Sequence, residues 1–407
     1  MTAKNDQQRS LVPIGTPLPV TTPDHNQTSI LQRMTRGALD LSRQQSRALA
    51  TKRYQLGEYE LCEPDYLQMR LWARRLGMTP EEVLSQLSTL LIGDETRDYA
   101  ELEIADGRIK TLVWDGEQMA LDDFEWLPDL AIESLVIEKR MPAWNQEQRL
   151  PSLRRLILND CKLTELNLST VPRLKILSCE VNQLTELDLS HVPELTELDC
   201  QSNLIQTLDL TPVPRLVKLN CGSNKITKLN LTSTPELTTL GIYNNLLARI
   251  DLNAASQLST LYCNLRHLLL LDSLSIQNLT TLYCYPRMAK FRPILDQGIT
   301  DLDLSLTPRL KELYCNHNGL SKLDLSPVPE LTVLYCSNNQ LTQIDLSPVP
   351  KLMGLYCYSN QLTELNLTPA SSLEALSCKS NKLTKIDIRK MRSLRTLSVD
   401  ENVTLIR

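Results

Sequence analysis

From Leu153 onward the chain repeats itself every 21 residues, and no other feature restricts its fold as strongly. The unit reads L-x-x-L-x-C-x-x-N-x-L-x-x-L-D-L-S-x-x-P, as in Leu331–Pro350, LTVLYCSNNQLTQIDLSPVP. Units open at Leu153, Leu174, Leu195, Leu216, Leu237, Leu258, Leu279, Leu310, Leu331, Leu352 and Leu373, with a shortened one at Leu394. A unit this short cannot bury its own apolar residues, so the units must stack into a solenoid with a core running along the stack. Length then counts coils rather than domains. Such stacks offer extended surfaces for other macromolecules.

The first half of the unit, L-x-x-L-x-C-x-x-N, resembles the leucine-rich repeats. That resemblance implies an α/β repeat solenoid, a horseshoe with a parallel concave sheet whose strands lie roughly 4.8 Å apart. It also implies a ladder of asparagines bonding the backbone of adjacent turns, supplied here by Asn182, Asn203, Asn224, Asn245, Asn318, Asn339, Asn360, Asn381 and Asn402. The second half, L-x-x-L-D-L-S, alternates with period two and reads as an irregular, extended outer face rather than a helix.

Cys179, Cys200, Cys221, Cys263, Cys284, Cys315, Cys336, Cys357 and Cys378 all take the sixth position, where Ile242 and Val399 stand in other units. Exchange with isoleucine and valine marks a slot for a compact apolar group, which buried free cysteine is. Zinc would need close pairs such as C-x-x-C, and these are absent. Disulfides fit poorly, because the cysteines number 11 and parallel strands hold their Cβ atoms slightly too far apart. A cysteine ladder in 21-residue units closely resembles the internalins, bacterial surface proteins that mediate adhesion. The resemblance covers the repeats alone; neither an export signal nor a wall-sorting motif accompanies it.

A second ladder points to function. The fifth position lies between two inward ones and must point outward. Tyr262, Tyr283, Tyr314, Tyr335 and Tyr356 occupy it in consecutive units, and the outward seventh position adds Tyr243, Tyr285 and Tyr358. Tyrosine is a favoured anchor of protein-binding surfaces, burying much area at little entropic cost. Arg266 and Arg287 replace the ladder asparagine beside this stripe. The unit opening at Leu279 is 31 residues long, with an insertion near 288–298 that contains Phe291. Insertions in solenoids become loops, often on the binding side. The expectation is a cleft with the tyrosines as floor and Arg266, Arg287 and this loop as one wall.

Four sections are expected along the chain. Residues 1–29, rich in Thr, Pro, Asn, Gln and Ser, read as a disordered tail. Residues 30–93 read as helical, the clearest pair being Asp65–Leu76, stopped by Gly77, and a helix started by Thr79, Pro80 and Glu82 as a capping box. Residues 94–152 read as a β-hairpin around Ala105-Asp106-Gly107 followed by capping repeats, with Ile132, Leu135 and Ile137 one period before Leu153. Residues 153–407 are the repeats. The helical region would cap the first coil's core.

Composition narrows the function class. A net charge of -5 without like-charge runs in the repeats argues against nucleic acid there. Ala73, Gly77 and Val83 have the spacing of a helix-turn-helix, with Arg70, Arg74 and Arg75 placed for phosphates, but Glu81 and Glu82 open the would-be recognition helix. The four histidines, His25, His191, His267 and His317, fall in the tail, an outer turn or solvent-facing repeat positions and form no nucleophilic arrangement, and no phosphate-binding glycine motif is present. Asp188, Asp209, Asp251, Asp303, Asp324, Asp345 and Asp387 recur at one position and read as turn-forming residues rather than metal ligands. No stretch reaches the ~18 apolar residues of a membrane span, nor is there a secretory h-region. The expectation is a non-enzymatic, monomeric, cytoplasmic protein-binding module without cofactor. Two alternatives stand beside it: an effector secreted without a cleaved signal that binds a host protein, and a DNA-binding regulator.

Overall fold

Positions four and six of each unit face one interior while positions three, five and seven face out, so each coil opens on a strand. In the computed structural model these strands are three residues long from Ile176–Ser178 to Thr396–Ser398. They pair in parallel and in register, Leu177 with Leu198 and Leu198 with Leu219. The structure describes residues 52–89, 102–116, 123–124, 130–139, 143–144, 149–268, 276–284 and 301–407. Within these a 15-stranded sheet runs through the repeats. Its one antiparallel pair is the hairpin Glu103–Ala105 and Arg108–Asp115 at an edge.

Behind the sheet, every apolar position of the unit is spent on the core. In the coil opening at Leu195, residues Leu195, Leu198, Cys200, Ile205, Leu208, Leu210 and Val213 are all buried. All 11 cysteines are free and buried, as the compact-slot reading requires. The outer face is irregular, as expected, with one short 3-10 turn at Thr368–Ala370 and a strand pair, Lys385–Asp387 with Thr404–Ile406, at the far end. The recurring aspartates satisfy turn backbone: Asp188 accepts from the Ser190 amide at 2.9 Å, and Asp324 does the same for Ser326 at 2.9 Å. The Ser190 amide and hydroxyl hold the Asp188 carboxyl, and the Ser326 hydroxyl and amide that of Asp324, below the usual carboxylate range.

The asparagine ladder stitches coil to coil. The Asn203 side-chain amide donates to the carbonyls of Cys179 at 2.9 Å and Cys200 at 3.1 Å, while its oxygen accepts from the Leu184 amide at 3.0 Å. The same pattern recurs at Asn224, Asn339 and Asn360. Asn402, in the last coil, lies exposed instead. The residue before each ladder asparagine from Asn182 to Asn381 takes a left-handed backbone, at φ values such as 57° for Ser202 and 56° for Asn338. The coil opening at Leu258 departs from this. With Arg266 at the ladder position, the backbone turns into a single helical turn, Leu265–Leu268, which buries Leu265 and His267. His267 thus points inward, not to solvent as its repeat position implied.

Ahead of the repeats, Arg53–Leu56 and Tyr59–Cys62 form an antiparallel hairpin where the sequence reading had only helix. Its alternating R-Y-Q-L and Y-E-L-C runs flank a turn in which Gly57 adopts φ 58°. Helix α1 (Glu63–Leu76) follows and ends on Gly77 at φ 69°. Helix α2 (Pro80–Thr89) begins with the expected capping box: the Glu82 amide donates to the Thr79 hydroxyl at 3.2 Å, and the Thr79 amide to the Glu82 carboxylate at 2.7 Å. Trp72 of α1 meets Trp114 edge-on at 5.0 Å. Fully buried Asp65 accepts from Arg108 Nε at 2.5 Å and from the Ile109 amide at 2.9 Å. Burial raises the Asp65 pKa and Arg108 works against it. Removing Arg108 would leave a buried carboxylate without its cation. No helix among the described residues is long and apolar enough to cross a membrane.

Candidate functional site

Parallel, in-register pairing places the fifth residues of successive coils side by side, and for five coils these are tyrosines. Tyr262 pairs with Tyr283, Tyr283 with Tyr314, Tyr314 with Tyr335 and Tyr335 with Tyr356. Their rings stack at centroid distances of 4.2, 4.2, 4.7 and 4.0 Å, with planes within 14° of parallel. Each inner ring therefore spends both faces on its neighbours. What the half-buried row can offer outward is ring edges and hydroxyls.

Chemistry on either side of the row is almost uncharged. Thr260, Thr281, Glu312, Val333 and Gly354 line one flank, and Asn264, Asn316, Ser337 and Tyr358 the other. Glu312 accepts from the Tyr314 hydroxyl at 3.4 Å. Desolvation, followed by the adjoining hydroxyls, pushes the Tyr283 and Tyr335 phenols well above their ordinary range, so these two keep their protons at physiological pH. The earlier coils contrast sharply. There Glu180 is held by Asn159 at 2.9 Å and by Gln201, Asp199 by Asn220 at 3.0 Å, and Glu197 by Lys218 at 3.0 Å.

The other expected site residues fall into four groups. Tyr358 stands at the seventh position, 38 % exposed, beside the row. Tyr243, expected on the same outward stripe, is only 4 % exposed: its ring lies over Gly222, where a Cβ would sit 2.3 Å from the ring, and its hydroxyl donates to Gln201. It belongs to the polar network of the earlier coils and offers no contact area. The glycine one coil earlier at the same position was the signal for this. Arg266 is exposed on the helical turn after Tyr262. Tyr285, Arg287, Phe291 and the insertion 288–298 lie outside the described residues, so the cleft wall rests on sequence alone.

No cluster of three or more His, Cys, Asp or Glu side chains able to hold a metal occurs among the described residues. Burial pushes the Cys221 and Cys315 thiols up to about 12, which keeps them protonated and unreactive at neutral pH.

Residues 308–348 match the sequence profile of leucine rich repeats in 2 copies, and the coils are leucine-rich repeats. No curated protein sequence matches the chain. Among solved structures, a leucine-rich-repeat protein of Leptospira interrogans superposes with a TM-score of 0.56 at 20% identity, over 70% of this chain and 76% of that one. Toll in its complex with Spätzle, from Drosophila, gives 0.51 at 17% identity over 67% of this chain and 39% of that one. The functional domain of InlJ from Listeria monocytogenes, described as including a cysteine ladder, gives 0.42 at 25% identity over 68% and 69%.

Proposed function

Because these coils are leucine-rich repeats, we propose that the chain is a non-enzymatic protein-binding module whose contact surface is the row from Tyr262 to Tyr356, extended by Tyr358. The observation that carries this reading is the restriction of the tyrosines to five consecutive coils on the concave face, with Glu312 as the one charged residue of the described flanks. A ladder needed for folding alone would have reason to continue along the array. The fold supports the reading at the level of class: Toll, of similar fold, is solved with its protein partner Spätzle. Arg266, Arg287 and Phe291 are proposed to border the row on one side.

A row of ring edges and hydroxyls recruits by shape and hydrogen bonding rather than by steering, so binding should vary little with salt. The test is affinity capture from lysate with the native chain and with a variant carrying serine at Tyr262, Tyr283, Tyr314, Tyr335 and Tyr356, both shown folded by circular dichroism. A protein retained by the native chain alone, with affinity changing less than about threefold between low and high salt, supports the proposal. Equal retention by both chains would make the row a purely internal ladder.

A further inference from the structure

We infer that the tyrosine row is a site of oxidative modification, where a haem peroxidase acting with hydrogen peroxide joins the rings of adjacent coils by carbon–carbon bonds. Strand register brings Tyr262, Tyr283, Tyr314, Tyr335 and Tyr356 side by side. Their rings stack at 4.2, 4.2, 4.7 and 4.0 Å. Two phenols joined at the carbons beside their hydroxyls have ring centres two ring radii and one bond apart, about 4.3 Å. The row already holds that spacing. Coupling then asks chiefly for the rings to turn about Cβ–Cγ, a soft torsion, and the half-buried row leaves their edges open to solvent.

Each of two phenols gives up one electron and its hydroxyl proton. The two phenoxyl rings bond through the carbons beside their oxygens, and the hydrogens on those carbons move to the oxygens, restoring two phenols. The peroxide takes up the two electrons and two protons and leaves as two waters. Glu312 accepts from the Tyr314 hydroxyl at 3.4 Å, so a base stands beside the proton to be lost. Rings set face to face pass an electron vacancy along the row, so two oxidations anywhere in it can meet on neighbours. The thiols, which would compete for the oxidant, are all buried. Tyr54 and Tyr66 also stack, at 4.6 Å, but as an isolated pair that must itself be oxidised twice. Linked rings would join neighbouring coils covalently, whatever the row binds.

The test treats the full chain, at micromolar concentration, with haem peroxidase and one equivalent of hydrogen peroxide, and reads dityrosine fluorescence and the masses of proteolytic peptides. The expected product is a single chain lighter by two hydrogens. Links Tyr262–Tyr283, Tyr283–Tyr314 and Tyr335–Tyr356 should outnumber Tyr314–Tyr335, whose rings are farthest apart at 4.7 Å. The yield should exceed that of the urea-unfolded chain by at least about tenfold, because the fold holds the rings at high effective concentration. Tyr335→Phe/Tyr356→Phe keeps the stack without those phenols, and should confine the row's links to Tyr262, Tyr283 and Tyr314. Equal yields from folded and unfolded chain, links only at Tyr54–Tyr66, or links only between separate chains would overturn the modification site. Each of those results leaves the binding proposal standing, and failure of Tyr-dependent capture leaves the modification site standing.

Discussion

The side-chain amide of Asn318 donates to the carbonyl of Cys284 at 2.6 Å across 34 positions of sequence, where Asn203 reaches Cys179 across 24. Tyr283 nevertheless pairs with Tyr314 in the ordinary register. The ten extra residues of the long coil, 34 against 24, thus leave the ladder and the sheet undisturbed. Removing residues 288–297 should cost less than about 1 kcal/mol of stability, since loop length alone changes closure entropy slowly. Thermal unfolding of the deletion variant checks this. A variant that folds but no longer retains the captured partner would place the insertion in the contact surface, and one that does not fold would give it a structural role.

Asn203 is 5 % exposed and its side chain closes three hydrogen bonds to backbone groups that have no access to water. Asn203→Ala should destabilise the chain by about 2 kcal/mol, because the Leu184 amide is left without its acceptor, while the Cys179 and Cys200 carbonyls each keep one bond, from Asn182 and Asn224. Asn402→Ala, at the same repeat position but exposed, should stay within roughly 0.5 kcal/mol of the native chain. Comparable losses at the two sites, measured by urea unfolding, would show that the ladder bonds contribute little.

Most of the architecture was legible because the repeat imposes it. The resemblance to leucine-rich repeats supplied the parallel strand and the asparagine ladder; once the strand is granted, its alternation turns the cysteine inward and Tyr262–Tyr356 must align. The failures occur where a side chain's neighbour, rather than its repeat position, decides its direction. Tyr243 shares its position with exposed Tyr358, yet it folds down because Gly222 leaves a space beneath it. His267 turns inward because the loss of the ladder asparagine at Arg266 lets the backbone form a helical turn. The hairpin at 53–62 was missed because four-residue strands give too short an alternation to outweigh the helical pattern that follows.

Val181 holds φ 57° immediately before Asn182, a conformation that costs a β-branched residue more than any other. Other coils place Ser202, Ser223, Asn244 or Asn338 there. The valine side chain is 48 % exposed and so contributes little burial in return. Val181→Asn should therefore stabilise the chain by about 1 kcal/mol, while Ser202→Val should cost about as much. Unchanged unfolding midpoints in both would mean the turn relaxes to accept any residue.

Alkaline pH should destabilise the array, and the buried thiols set the threshold. Cys221 and Cys315 have their pKa raised by burial to about 12, against 9.0 for an ordinary thiol, and Tyr283 and Tyr335 are also raised. A group with a raised folded pKa holds its proton more tightly in the fold than in the open chain. Its contribution is intact below the unfolded pKa and is lost as pH rises toward the folded one. Stability should thus be flat from pH 6 to 8. Above about pH 8.5 it should fall by about 1.4 kcal/mol per pH unit for each thiol that ionises only on unfolding, and the tyrosines should add to the slope above about pH 10. Urea midpoints across this range measure it. In the same samples a thiol-specific reagent at pH 8 should find almost no reactive cysteine until denaturant is added, and then all 11. Stability that stays constant to pH 10.5, or prompt thiol labelling of the folded chain, would mean that the cysteine column is open to solvent and is not part of the core that holds the coils together.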